Sequence, residues 1–243
     1  MTGKYETIVT HVQALSVDII KDMADLYLTN FDGSSDALFR ADLSEKDEAI
    51  LVFSAGRLVG FTTLKVFDRY WHGAPIRIVY SGDTIISPEH WGQQQLAFAW
   101  IGRIGEIKRQ DPDLPLYWFL LVKGHRTFKY LPVFGKSFFP HWSIDRNDLK
   151  PLADELALER FGTDYSPQTG VVAFPNSRGH LKEGIASATS EELTKPATQF
   201  FFKRNPGYRE GNELVCVCEL DLANMKPLTA RIFQRAFDEA LCA

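Results

Sequence analysis

The chain has 243 residues, of which 45% are hydrophobic and 24% are charged, and its formal net charge at pH 7 is -4. This composition is that of an ordinary globular protein, and the small negative charge excludes the strong basic field typical of proteins that bind nucleic acids. No apolar run approaches the ~20 residues that span a bilayer, and residues 1–6 lack the apolar core of a signal peptide. We therefore expect a cytoplasmic protein that binds neither nucleic acid nor membrane.

The first part of the chain predicts a strand, two helices and a hairpin. Tyr5 to Ala14 alternates enough for a first strand. Apolar residues at helical spacing predict a helix from Val17 to Phe31, which Ser16 can cap, and a second helix from Ser35 to Asp47. Two further strands, joined by a short glycine-containing turn and therefore predicted to form a hairpin, cover Ile50–Phe53 and Leu58–Phe67.

A strand, a loop, a long helix and a second strand follow. The first strand covers Ile76 to Ile86, and the loop after it contains a proline and a glycine. Apolar residues of the helix recur at spacings of four, four and three, at Leu96, Trp100, Ile104 and Ile107. The second strand, Leu116 to Val122, shows no polar alternation, which is typical of a central strand covered on both faces. This order predicts two parallel strands joined by a crossover helix.

The last hundred residues predict three further helices and two further strands. They cover Leu149–Phe161, Val171–Phe174, Glu191–Lys203, Asn212–Leu222 and Pro227–Leu241. Pro196 breaks the second of these helices, and the segment either completes the sheet or forms a lid. We expect the side chains of Cys216 and Cys218 to point to opposite faces of their strand, and we predict that they and Cys242 are reduced thiols.

The loop before the long helix resembles the acyl-CoA-binding segment of the GCN5-related N-acetyltransferases (GNAT) in the run Ile86-Ser87-Pro88-Glu89-His90-Trp91-Gly92-Gln93. The strand after the hairpin turn resembles the family's Val/Leu-x-Gly-Phe pattern in Leu58-Val59-Gly60-Phe61. Over residues 5–142 the predicted elements also follow the family's order. The resemblance implies an α/β (α+β) fold with a mixed, mostly antiparallel twisted sheet and helices on both faces. It implies an acyltransferase core over residues 1–145 and a C-terminal extension over residues 146–243.

In that family, a splayed strand end binds the pantetheine arm of coenzyme A (CoA), and the loop at the helix N-terminus holds the pyrophosphate. The resemblance places these contacts at Thr84, Ile85, Ile86, Trp91, Gly92, Gln93, Gln94 and Gln95. Trp91 stands where Arg or Gln is usual, and Gln94 and Leu96 replace small residues. Trp91 either stacks on the donor or plugs the loop. Two donors therefore stay open, acyl-CoA and an acyl carrier protein, whose pantetheine carries a single phosphate.

The resemblance also implies an acid and a base. Tyr130 occupies the family's tyrosine position, where a protonated phenol protonates the leaving thiolate, although it is otherwise a packing residue. Asp83 lies where the family often has a glutamate and is the candidate base, or else a bulge residue beside Gly82. His125, at a strand end, is a further candidate base or a helix cap. No pair of histidines has metal-ligand spacing, so we expect no metal site.

The function that the resemblance implies is direct transfer of an acyl group, from acetyl-CoA or another acyl-CoA, to the amine of a small molecule or peptide. Two alternatives belong to other classes of protein. One is a ligand-binding module that has lost turnover, and the other is a structural partner in a larger complex. The sequence leaves open whether the chain forms a homodimer.

Overall fold

The longer strands lie close to the positions that alternation and turn residues predict, whereas the two-residue strands at 31–32, 165–166 and 180–181 were not predicted. The structure is a computed structural model and describes residues 5–239. Within these residues the strands are β1 (Tyr5–His11), β2 (Phe31–Asp32), β3 (Glu48–Ser54), β4 (Arg57–Trp71), β5 (Ala74–Ile86), β6 (Leu116–Val122), β7 (Tyr165–Ser166), β8 (Val171–Val172), β9 (His180–Leu181) and β10 (Glu213–Glu219).

The longer helices begin and end close to the predicted caps and prolines, whereas the short helix at 183–186 was not predicted. They are α1 (Val17–Asn30), α2 (Asp36–Ser44), α3 (Gln95–Gln110), α4 (His125–Phe128), α5 (Tyr130–Phe134), α6 (Lys150–Phe161), α7 (Glu183–Ala186), α8 (Ser190–Leu193), α9 (Pro196–Arg204) and α10 (Pro227–Asp238). The Ser16 hydroxyl accepts a hydrogen bond from the backbone N of Ile19 at 3.2 Å, as an N-cap does. In the part of the chain that the structure describes, no helix is both long and apolar enough to cross a membrane.

One eight-stranded sheet organises the molecule, in the order β1-β3-β4-β5-β6-β10-β8-β7. The pair β5 and β6 is parallel, and the other neighbouring pairs are antiparallel. Apolar residues of α3 and α10 pack on one face, and those of α1, α2 and α6 pack on the other. This arrangement confirms the predicted fold class and the predicted parallel pair.

Residues after 146 continue the same sheet. β10 lies beside β6, with Cys218 opposite Trp118, and α10 packs so closely on α3 that a Cβ on Gly105 would lie 2.4 Å from the backbone O of Phe233. Cys216 and Cys218 are free thiols in one core cluster. The expectation that they point to opposite faces is wrong, because residues two apart on a strand share a face. Cys242 and the predicted end of the last helix lie outside the described residues.

Candidate active site

A cleft begins where the two parallel strands separate. The register of β5 and β6 runs from Arg77↔Leu116 to Ser81↔Leu120, whereas β5 itself continues to Ile86 because its other edge stays paired with β4. Thr84, Ile85 and Ile86 therefore line a cleft of 1180 Å³ instead of pairing with β6. Apart from the carbonyl of Ile86, which accepts a hydrogen bond from Trp91, the backbone groups on this edge are available to an amide-containing chain that binds as an added strand.

A β-bulge turns Asp83 into this cleft. Between the pairs 64–81 and 62–84 of β4 and β5, Gly82 and Asp83 together oppose the single residue Thr63. A bulge of this kind bends the strand and re-aims a side chain. Asp83 is half-buried and lines the cleft. The bulge, which the sequence offered as the alternative to a catalytic role, is thus what brings the carboxylate into the cleft.

The Asp83 carboxylate is surrounded by charges but bonded to none of them. Among residues 5–239 it has no hydrogen bond and no ion pair within 4.0 Å. Burial raises the pKa of Asp83 most, the negative charges of Asp42 and Glu213 raise it further, and Lys123 and Lys46 lower it, with a result of about 7. A carboxyl group with a pKa near neutral pH can both accept and release a proton.

Tyr130 lies on the α3 side of the separated strands, whereas Asp83 faces α1 and α2. Tyr130 lines both the cleft and an inner cavity of 20 Å³ that it shares with Thr84. Its ring packs against Phe134 with centroids 5.4 Å apart. Burial raises the pKa of the phenol, so Tyr130 stays protonated at neutral pH and can donate a proton.

The loop before α3 lines one end of the cleft through Trp91, Gly92 and Gln93. Gly92 has a φ of +92°, which glycine adopts at little cost. The Trp91 Nε1 donates a hydrogen bond to the backbone O of Ile86 at 3.0 Å, so Trp91 already engages one carbonyl at the end of β5. The Gln93 Oε1 accepts from the first backbone N–H of α3 at 2.6 Å. Part of the hydrogen-bonding capacity at this helix N-terminus is therefore used within the chain.

Three residues that the sequence predicted for the site do not line the cleft. Gln94 and Gln95 are exposed at the start of α3. His125 begins α4 but turns inward toward α9, where it is 1% exposed and its ring centroid lies 5.4 Å from that of Phe202. Burial lowers the pKa of His125, yet the same burial keeps a substrate away from its ring. We therefore do not propose His125 as a base.

An anion site beside the loop is filled by a carboxylate of the chain itself. The Lys129 Nζ lies 2.5 Å from one Glu192 oxygen, and the Arg126 guanidinium lies 3.3 Å from the other. Arg126 also lies 4.5 Å from the centroid of the Trp91 ring. Burial raises the pKa of Glu192, but Lys129, the backbone N–H of Thr189 and Arg126 lower it to about 2. Two cations that could meet a donor phosphate are therefore already paired.

Aromatic rings and ion pairs between side chains of the protein line the other end of the cleft. The rings are those of Tyr27, Phe31, Phe39, Tyr80, Phe161 and Phe174. The Lys123 Nζ lies 3.3 Å from Glu213, and Arg160 pairs with Glu45 while its guanidinium lies 4.5 Å from the Tyr80 ring centroid. Among the described carboxylates of the cleft, Asp83 alone lacks such a partner.

Sequence reasoning identified Arg126 and Lys129 beside the cleft but missed Glu192, which pairs with them, and missed Asp42 and Lys46 near Asp83. Asp42 and Lys46 have the i,i+4 spacing of a helical ion pair, and Thr189-x-x-Glu192 has the pattern of a capping box, which α8 forms. Both patterns predict local structure without indicating which distant residues they meet. Within residues 5–239, no cluster of three or more His, Cys, Asp or Glu side chains is arranged to hold a metal ion.

No family model and no curated protein matches this sequence. Solved structures of N-acetyltransferases and N-acyltransferases do match, at low identity. A GNAT family N-acetyltransferase (YhbS) from Escherichia coli, in complex with CoA, matches at 16% identity over 55% of this chain and 70% of that one, with a TM-score of 0.40. A probable N-acyltransferase from Enterococcus faecalis V583 matches at 14% identity with the same TM-score of 0.40, over 55% of this chain.

The matched region spans 33% of the Enterococcus protein. A GCN5-related N-acetyltransferase from Kribbella flavida matches at 12% identity, over 76% of this chain and 49% of that one, with a TM-score of 0.39. Because these sequence identities are so low, an activity can be proposed for this chain only from the residues of its own cleft.

Proposed function

We propose that the chain transfers an acyl group from a pantetheine thioester, with acyl-CoA as the donor, to the amine of a small molecule or peptide. The observation that carries this proposal is the opening between β5 and β6, which has Asp83 on one side of the sheet and Tyr130 on the other. The free strand edge at residues 84–86 suits the two amides of a pantetheine arm. A thioester bound along this edge lies between a proton acceptor and a proton donor.

The reaction requires one proton to be removed and one to be supplied. A neutral amine, bound among the aromatic rings, attacks the carbonyl carbon of the thioester. As the C–N bond forms and the C–S bond breaks, Asp83 takes the amine proton, directly or through water, and Tyr130 gives its phenolic proton to the sulfur. Transfer of the proton from Asp83 to Tyr130 through solvent then restores both groups, and the amide and the thiol leave.

Thermal unfolding in the presence of CoA, acetyl-CoA and longer acyl-CoAs, each at the same excess, tests the donor. A ligand at ~100 times its dissociation constant stabilises by about 2.7 kcal/mol, which moves the midpoint by several degrees. Gly92→Trp should abolish this shift by filling the donor end. Gly56→Trp is the matched control, because both glycines have positive φ and open space where a Cβ would lie, while Gly56 lies outside the cleft. No shift with any CoA would overturn acyl-CoA as the donor.

A second donor, an acyl carrier protein, is favoured by the ion pairs of Glu192. Because Arg126 and Lys129 are both engaged, the pyrophosphate and third phosphate of CoA must compete with a carboxylate, whereas phosphopantetheine brings one phosphate only. Stabilisation by an acyl phosphopantetheine, without stabilisation by acyl-CoA, would identify this donor. The cytoplasmic location, the homodimer and the division at residues 145 and 146 remain predictions.

A further inference from the structure

A fully buried lysine lies directly behind the wall of the cleft. The Lys46 side chain is 0% exposed. Its Nζ donates hydrogen bonds to a carboxylate oxygen of Asp42 at 2.5 Å and to the backbone O of Asp42 at 3.1 Å. It also lies 5.4 Å from the centroid of the Tyr80 ring. A charged group is costly to bury, even when it is paired, so a lysine at this position calls for a role beyond packing.

Lys46 packs against the bulge that carries Asp83. A Cβ added to Gly82 would lie 2.6 Å from the Lys46 Cε and 2.3 Å from the Thr63 hydroxyl oxygen. The lysine stem and the Thr63 hydroxyl therefore both pack against Gly82 on the side where a Cβ would lie. Because Asp83 is the next residue, the position of Lys46 is tied to the direction in which the Asp83 carboxylate points.

The charged and titratable groups that act on Asp83 come from every element around it. They are Tyr27 of α1, Asp42 of α2, Lys46 of the following loop, Lys123 directly after β6 and Glu213 of β10. Lys123 is paired with Glu213 at 3.3 Å, and Lys46 with Asp42 at 2.5 Å. Two ion pairs thus flank a carboxyl group that has no ion-pair partner of its own among residues 5–239.

We infer that the Asp42–Lys46 pair is a positioning element for Asp83. Its lysine holds the bulge so that the carboxylate faces the cleft, and its two opposite charges set the pH at which that carboxylate ionises. The role of Asp83 as the base rests on the proposed function, whereas its coupling to the pair is a property of the protein alone. Neither Asp42 nor Lys46 needs to touch a substrate for this role.

The test is a titration of isotope-labelled aspartate carboxyls by NMR, with the Asp83 signal assigned by its absence in Asp83→Asn. Lys46→Met removes a positive charge and should raise the pKa of Asp83 by about one unit or more, which lowers the ratio of ionised to protonated carboxyl about tenfold at a given pH. Asp42→Asn removes a negative charge and should move the pKa downward. Lys21→Met is the control, since Lys21 forms an exposed i,i+4 pair with Asp25 at 2.6 Å, and it should leave the Asp83 titration unchanged.

A lysine with a purely structural role would not make the pKa of Asp83 rise in Lys46→Met and fall in Asp42→Asn. Equal shifts in Lys46→Met and Lys21→Met, or shifts of one sign in Lys46→Met and Asp42→Asn, would overturn the inference. If Lys46→Met does not fold, Asp42→Asn still tests the inference. The asparagine amide oxygen can accept the same hydrogen bond from the Lys46 Nζ, so the structure is kept while the negative charge is removed. The titration needs neither donor nor acceptor, so its failure and the failure of the proposed acyl transfer are separate results.

Discussion

Replacing Asp83 by asparagine should make the protein more stable at about pH 8. Burial and the carboxylates nearby raise the pKa of Asp83 from its ordinary value of 3.8 to about 7, so the folded state holds this proton more tightly than the unfolded state does. The stability that comes from the bound proton is complete below about pH 4 and is lost as the pH rises to about 7. Asparagine stays neutral throughout, so the advantage of Asp83→Asn should grow over that interval.

The size of the effect follows from the shift in pKa. A rise from 3.8 to about 7 is roughly three units, and each unit corresponds to about 1.36 kcal/mol, which sets an upper limit of about 4 kcal/mol. Solvent reaches the half-buried carboxylate from the cleft and reduces this cost, so we expect about 2 kcal/mol. For a chain of this length, such a change raises the unfolding midpoint by about 4–8 °C.

The assay is thermal unfolding of the wild type and Asp83→Asn between about pH 5 and pH 8.5. Asp113→Asn serves as the control, because it loses the same charge at an exposed position, and its midpoint should follow the wild type. Thiol release from the acyl donor should fall in Asp83→Asn while stability rises, the opposition expected of a functional carboxylate. A variant less stable than wild type at pH 8 would show that the fold stabilises the charged carboxylate, and would refute the reasoning.

Three further changes test other parts of the molecule. Tyr130→Phe should lower kcat about 100-fold in a thiol-release assay and leave the midpoint shift by the donor in place; a normal kcat would remove Tyr130 as the acid. Glu192→Gln should tighten CoA binding about fivefold in calorimetry, since ~1 kcal/mol of ion pairing is released; weaker binding would show that Glu192 orients the cations instead. Glu48→Gln should cost about 3 kcal/mol in urea unfolding because it removes the charge of the buried carboxylate that binds Arg103 through both oxygens, whereas Glu106→Gln, at the exposed second partner of the same arginine, should cost under about 1 kcal/mol.

Local patterns in the sequence predicted most of the elements that frame the cleft. The alternation and the turn between β3 and β4, the stripe of α3 and the apolar run of β6 each depend on neighbouring residues alone. The serine caps and the break at Pro196 are local for the same reason. The parallel pair followed from the order of these elements, because a helix between two strands requires a crossover.

The charges of the site could not be predicted in the same way. The Lys129–Glu192 ion pair joins residues 63 apart in sequence, and no local pattern indicates which carboxylate reaches which cation. His125 was a reasonable candidate at a strand end, but the packing of α4 against α9 buries its ring beside Phe202. Glycine at position 82 was compatible with a bulge, yet only the register of β4 and β5 shows that the bulge exists and that Asp83 follows it.

The sequence by itself therefore determined the order and type of the longer elements and the crossover between β5 and β6, because periodicity, caps and turn residues act over a few positions. The candidates Asp83 and Tyr130 came from the resemblance to the acetyltransferase family. Tertiary structure alone decided that β10 pairs with β6, that Lys46 packs against the bulge, and that Glu192 forms ion pairs with Arg126 and Lys129 at the donor end. The physical reason is that burial and electrostatic pairing depend on distances in space, and packing brings together residues that the chain keeps far apart.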